Sequence, residues 1–176
     1  MTHPALSALT IRPLHDEDAD IIAAAFAAQG WNKPAAQYRR YYVEQCAGER
    51  EVLIAEINGE FAGYVTIVWQ SSYHSFHEQA IPEIVDLNVL IAWRRCGIAS
   101  ALLDAAEMLI ATRSPVAGIG VGMTADYGAA QILYVRRGYL PDGRGLASSG
   151  KTLHYGDVVI LNDDVALYLV KLVGTS

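Results

Sequence analysis

Within "WRRCGIASALLDAAE" stand the groups that can hold an anion. Arg94 and Arg95 supply cations, Cys96 a thiol and Gly97 a residue without a side chain, and Ile98, Ala99 and Ser100 read as the first turn of a helix. The N–H groups of a helix's first turn have no carbonyl partner inside the helix and lie at the positive end of its dipole, so such a corner favours phosphate. Gly97 would let the backbone approach the anion without a Cβ in the way, and Ala99 and Ser100 are small enough to keep that approach open. The same residues also fit a plainer arrangement, in which Gly97 relieves a tight turn and the arginines are solvated. A second glycine cluster, Gly118, Gly120 and Gly122 in "VAGIGVGM", alternates at period two. It sits inside a strand pattern, whereas a dinucleotide fingerprint places its glycines in the turn that opens a helix. What it offers is a bare strip of backbone on which something flat could lie. Tyr134 stands in "AAQILYVRRGY" among Ile132, Leu133 and Val135, where a tyrosine is by default core, with its hydroxyl bonded at the rim.

The elements that must position these groups follow from periodicity. "LTIRP" reads as a strand stopped by Pro13, followed by the helix "DEDADIIAAAFAAQG" with acidic residues in its first turn, and by a second helix, "PAAQYRRYYVEQCAG". "EVLIAEI", the turn at Asn58 and Gly59, and "FAGYVTIVW" give a strong hairpin signal, because Asn-Gly readily takes the positive φ angles of a tight turn. A loop with His74 and His77 precedes the strand "EIVDLNVLI". In the helix "GIASALLDAAEMLIATR" that comes next, Ile98, Leu102, Ala106, Leu109 and Ile110 share one side. A strand at "VAGIGVGM", a helix at "YGAAQILYVRRG" and strands at "KTLHYGDVV" and "DVALYLVKLV" complete the order β-α-α-β-β-β-α-β-α-β-β. With no repeat or linker, this order predicts one α/β domain over residues 1–176, a single mixed sheet with helices packed on it.

Composition narrows the function classes. The chain of 176 residues is 52% hydrophobic, enough for a sizeable core, and carries a formal net charge of −6. No run of cations is long enough to mark a nucleic-acid or anionic membrane surface, so neither is expected as a partner. No apolar stretch reaches membrane-spanning length, and the N-terminus lacks the basic-then-apolar pattern of a signal peptide. Cys46 and Cys96 are too few for a disulfide framework and, with five scattered histidines, too few for a structural zinc site; reduced thiols in a cytoplasm are expected.

"LNVLIAWRRCGIASALLDAAE", followed about 30 residues later by "AAQILYVRRGY", resembles the GNAT superfamily of acetyl-CoA-dependent N-acetyltransferases. The family's Q/R-x-x-G-x-G/A signature is matched by Arg94, Gly97 and Ala99. Its tyrosine near a helix end, followed by a glycine and an aromatic residue, is matched by Tyr134, Gly138 and Tyr139, and the element order agrees along nearly the whole chain. The resemblance implies a GNAT-like α+β fold, with a mostly antiparallel sheet of about seven strands and helices on both faces. It implies acetyl-CoA as co-substrate and a small-molecule or peptide primary amine as acceptor, with no metal, and family habit adds a homodimer. The pyrophosphate would rest on backbone N–H groups of Arg95, Cys96, Gly97, Ile98, Ala99 and Ser100, with Arg94 assisting. The fourth and fifth strands would splay, leaving the backbone of Leu87, Asn88 and Val89 to pair with the pantetheine arm and polarise the thioester. Tyr134 would protonate the departing thiolate.

For the base, the carboxylate that some members carry on the fifth strand falls here on Gly122. Other members use an acid on the fourth strand, which points to Glu83 or Asp86; a regular strand turns these two to opposite faces, and a bulge would change that parity. A solvated carboxylate at either position, or an ordered water chain, are the alternatives. Tyr127 stands where an asparagine often contacts the cofactor, and Cys96 where a basic residue is common; a covalent role for Cys96 does not follow, because the family transfers the acyl group directly. Trp31, Tyr38, Tyr41 and Tyr42 would either wall the acceptor site or form core. The second reading of the whole is a noncatalytic acyl-CoA-binding domain that has kept the cleft and lost turnover.

Overall fold

The computed structural model of the chain describes residues 8–174, so the leader reading of the N-terminus falls partly outside the described residues. The strands are β1 (Leu9–Pro13), β2 (Arg50–Ile57), β3 (Glu60–Val68), β4 (Glu83–Val89), β5 (Val116–Gly122), β6 (Leu140–Ser148), β7 (Lys151–Thr152) and β8 (Val165–Leu172). The helices are α1 (Asp18–Ala28), α2 (Ala35–Cys46), α3 (His74–Glu78), α4 (Ile98–Ala111) and α5 (Gly128–Arg136). The sheet order is β1-β2-β3-β4-β5-β8-β6-β7, with β4 and β5 parallel and the pairs β1–β2, β2–β3, β5–β8, β8–β6 and β6–β7 antiparallel. This is the expected mixed, mostly antiparallel sheet, with eight strands. Two compact units divide the chain, Met1–Val68 with Val85–Leu109 and Trp69–Ile84 with Ile110–Ser176.

In the first unit the hairpin forms where it was expected. Asn58 and Gly59 both take positive φ, 53° and 80°, and set the register from Ile57↔Glu60 onward. The buried Asp18 in the first turn of α1 is held by both guanidinium nitrogens of Arg12, at 2.7 and 2.8 Å. Phe26, Tyr38, Val52, Ile54 and Tyr64 are fully buried in the core, Tyr41 joins them, and Trp31 and Tyr42 pack against it. Of these aromatics Tyr38 and Tyr41 are core, while Trp31, between the two helices, and Tyr42 are half-buried at its edge. Along α4, Ile98, Leu102 and Ala106 are buried as their spacing requires, as is Ile110, which falls in the second unit; Leu109, expected on the same side, is half-buried.

In the second unit the three alternating glycines of β5 each lie under an aromatic ring. A Cβ on Gly118 would fall 2.3 Å from Phe76, one on Gly120 3.1 Å from Tyr168, and one on Gly122 2.5 Å from Tyr127. The flat partners of the bare strip belong to the chain itself.

Three sequence expectations change here. The loop with His74 and His77 contains the short helix α3. A strand, β6, runs through the Pro- and Gly-containing "LPDGRGLAS", because β8 supplies a partner on either side of an irregularity between Pro141 and Leu146. The strand expected over "KTLHYGDVV" is reduced to Lys151–Thr152: Asp157 accepts the His154 N–H at 2.7 Å and turns the chain off the sheet.

Candidate active site

Strand β4 carries both carboxylates, and their surroundings differ. Asp86 has φ +52°, a left-handed residue within the strand, so the alternation that would oppose it to Glu83 is broken at that point. Its carboxylate is the centre of a cluster in the first unit. Oδ1 accepts from Lys33 Nζ at 2.9 Å and from Asn88 Nδ2 at 2.7 Å. Oδ2 accepts from Gln37 Nε2 at 2.9 Å, from the Tyr41 hydroxyl at 3.0 Å and from the Tyr64 hydroxyl at 2.6 Å. Lys33 also donates to Tyr64 Oη at 3.1 Å, and its ammonium stands 5.7 Å from the centres of both the Phe26 and the Tyr64 rings. Burial alone would raise the Asp86 pKa; the Lys33 charge and the bonds from Tyr64, Lys33 and Tyr41 outweigh it and hold the carboxyl below its ordinary value. Burial, and then the charge of the same carboxylate, pushes the Tyr41 phenol up to about 12. Asp86 is thus a satisfied anion and a poor proton acceptor.

Glu83 lies in the second unit, 6% exposed, and accepts a hydrogen bond at Oε2 from the buried Ser71 hydroxyl. A Cβ at Gly120 would come within 3.5 Å of Glu83 Oε1. This carboxylate crosses β5 where the strand carries no side chain, beside the Tyr168 ring. Burial, then the charge of Glu83, raises the Tyr168 phenol.

Downstream of β4, Leu90 N–H bonds to Ala62 O at 2.9 Å and a 3₁₀ turn, Ile91–Trp93, leads to the loop. Arg94 places its guanidinium 5.2 Å from the centre of the Trp31 ring and reaches Val89 O with Nε at 3.4 Å. Arg95 and Gly97 are both left-handed, φ 61° and 87°, and Gly97 O accepts the Ala101 N–H at 3.0 Å, closing the first turn of α4. Cys96 Sγ contacts Arg94 O at 3.4 Å. The start of an α-helix is the positive end of its dipole, and here two left-handed residues lead into it. Close packing also holds β4 itself: a Cβ on Gly63 would lie 2.5 Å from Asn88 O and 3.0 Å from Val89 Cα. Gly63→Ala must therefore shift the β4 backbone. The expected result is a melting temperature lower by roughly 3–10 °C, with faster amide exchange at Leu90, measured by calorimetry and hydrogen exchange.

Tyr134, near the end of α5, is 6% exposed, with its ring centre 6.1 Å from that of Tyr139. Burial, and secondarily Tyr127, pushes its phenol up to about 12, so it keeps its proton at any ordinary pH. Tyr127 lies with its ring against Gly122 and donates to Asp163 Oδ1 at 3.3 Å.

Residues 48–141 match the family model of the GNAT acetyltransferase domain. The chain belongs to the GNAT acetyltransferases. No curated protein sequence matches the acetyltransferase. Solved structures share its fold at low identity. A GNAT-family protein from Desulfovibrio desulfuricans has a TM-score of 0.71 at 15% identity, with 95% of this chain and 100% of that one covered. An N-acetyltransferase from Staphylococcus aureus gives 0.68 at 16%, covering 94% and 98%. The protein YncA from Salmonella typhimurium, solved with acetyl-CoA, gives 0.67 at 18%, covering 96% of each chain. The family uses acetyl-CoA.

Of the residues singled out in its sequence, Leu87, Asn88, Val89 and Arg94 to Ser100 lie with Asp86 in the first unit of the acetyltransferase, and Glu83, Tyr127 and Tyr134 in the second. Lys33, Gln37, Tyr64 and Ser71 were missed. Asp86 meets Lys33 across 53 positions of sequence, and no local pattern marks such a contact. Tyr127 accounts for the missing fifth-strand acid, since its ring fills the space a side chain at Gly122 would need. Among the described residues no group of His, Cys, Asp and Glu could hold a metal ion, and no helix is long and apolar enough to cross a membrane.

Proposed function

We propose that this acetyltransferase moves an acetyl group from acetyl-CoA directly to a primary amine of a small molecule or peptide. The observation that carries the reading is the β4–α4 corner, where left-handed Arg95 and Gly97 precede the first turn of α4. The pyrophosphate would be held by backbone N–H groups from Arg95 to Ser100, and the thioester carbonyl would be polarised by the backbone of Leu87, Asn88 and Val89. Glu83 would take the proton of the acceptor ammonium. The amine nitrogen then bonds to the carbonyl carbon as the C–S bond breaks, the sulfur takes a proton from Tyr134, and the proton still carried by the new amide nitrogen is given up to restore the tyrosine's neutral phenol. Between the two carboxylates, Glu83 is preferred because Asp86 already accepts five hydrogen bonds and is held ionised by Lys33. The noncatalytic reading gains from the covered Gly122 and loses from a Tyr134 that stays protonated.

Ligand-dependent melting tests the corner. Acetyl-CoA at about a hundred times its Kd should stabilise the protein by ~2.7 kcal/mol, which raises the melting temperature by about 5–10 °C. Gly97→Ala, which forces a Cβ into a left-handed residue at about 1–2 kcal/mol, should raise Kd by roughly 5–30-fold and cut that rise to about a third to two thirds. An equal rise in the variant would place the binding elsewhere.

A further inference from the structure

Ser71 has a use beyond closing a turn. The residue is 2% exposed, and its Oγ accepts the backbone N–H of Tyr73 at 2.9 Å. With that side of the oxygen taken, its own hydrogen is directed at Glu83 Oε2, which it meets in a short hydrogen bond. The donor is not free to turn away. Tyr73, which fixes it, is itself anchored twice: its ring stacks on Tyr168 with centres 3.7 Å apart, and its hydroxyl donates to Asp142 Oδ2 at 2.8 Å. On the other flank, Glu83 Oε1 lies over the bare backbone of Gly120 beside the Tyr168 ring. The carboxylate is therefore held at one oxygen by an oriented hydroxyl, beside the Tyr168 ring that packs on Tyr73 and Phe76.

We propose that Ser71 is a positioning residue for proton removal by Glu83, fixing the carboxylate's orientation and favouring its ionised form. This rests on the reading of Glu83 as the base. A hydroxyl donating to a carboxylate stabilises the anion over the acid, so removing the donor makes the carboxyl hold its proton to higher pH. It also removes one restraint on the group's terminal torsion, which lowers the fraction of complexes with an oxygen on the acceptor ammonium.

The test is the pH dependence of kcat/KM for acetyl-CoA at saturating amine, in wild type, Ser71→Ala, Ser71→Thr and Glu83→Gln. Ser71→Ala should move the acidic limb up by roughly half to one pH unit. On the plateau kcat should fall about threefold to tenfold with KM for acetyl-CoA unchanged, and Ser71→Thr should return the limb toward wild type. A purely structural role would lower the melting temperature of Ser71→Ala and leave the limb where it is; that result overturns the proposal. Loss of the limb in Glu83→Gln, with no movement in Ser71→Ala, overturns Ser71 and keeps Glu83 as base. An unchanged limb in Glu83→Gln overturns both. Should Ser71→Ala not fold, Ser71→Cys carries the same measurement with a weaker donor, and an unmoved limb there overturns the proposal equally.

Discussion

Replacing Asp86 with asparagine should be the most damaging single change in the first unit. Asparagine tolerates the left-handed backbone at this position as aspartate does, so the change removes the charge and leaves the φ of +52° affordable. Five donors then face a group with one acceptor atom, and Lys33, with only 19% of its side chain exposed, loses its counter-ion. The pair is partly buried, so breaking it from one side costs somewhat less than the ~3–5 kcal/mol of a fully buried pair, still a large part of an ordinary domain's stability. A melting temperature lower by about 10 °C is expected. The double variant Asp86→Asn with Lys33→Met should recover part of the loss, because the stranded ammonium is gone; a strictly additive double variant would show that the pair is not coupled. The pH dependence has a definite sign. The folded-state pKa of Asp86 is depressed, so the stability it contributes is complete above the ordinary carboxylate value near 3.9 and is lost as pH falls through the lower folded value. Wild type should show that acid limb, and Asp86→Asn should lack it.

Tyr134→Phe should be the largest catalytic defect, with kcat reduced roughly 10²–10⁴-fold and acetyl-CoA affinity nearly unchanged. The phenol at about 12 stands some 3.5 units above an ordinary thiol near 8.5, so handing its proton to a thiolate in water would be uphill by about 5 kcal/mol. What reduces that cost is the site: burial that raises a phenol also raises the proton affinity of a thiolate formed beside it, so both move in one direction. Wild-type kcat should accordingly show no loss assignable to this tyrosine below about pH 11. A Tyr134→Phe variant within threefold of wild type would remove the tyrosine from the chemistry.

Much of this arrangement is legible in the sequence. The Asn58–Gly59 turn, the buried stripe of α4 and the strand-loop-helix corner at Gly97 are set by local preferences, which act within a few residues, and the structure has all three. The helix α3 and the strand β6 were not legible for the opposite reason. Proline and glycine in "LPDGRGLAS" read as loop, and only pairing with β8 makes it a strand. The carboxylates were found and their roles left undivided, because what separates them is remote: Lys33, Gln37, Tyr41 and Tyr64 on Asp86, and Ser71 on Glu83. The period-two glycines announced a flat partner, and the partners proved to be Phe76, Tyr168 and Tyr127.

The central claim is transfer, and one stoichiometry tests it. Purified protein is incubated with acetyl-CoA and a panel of polyamines, amino acids, aminoglycosides and peptides, while free CoA thiol is measured by colorimetry and acetylated amine by mass spectrometry. The predicted result is one acetylated amine per thiol released for at least one acceptor, slowed roughly 10²–10⁴-fold by Tyr134→Phe and slowed, though still measurable, by Glu83→Gln. Stabilisation by acetyl-CoA with no acetylated amine across the panel would contradict it and make the chain an acyl-CoA-binding protein with an acetyltransferase fold.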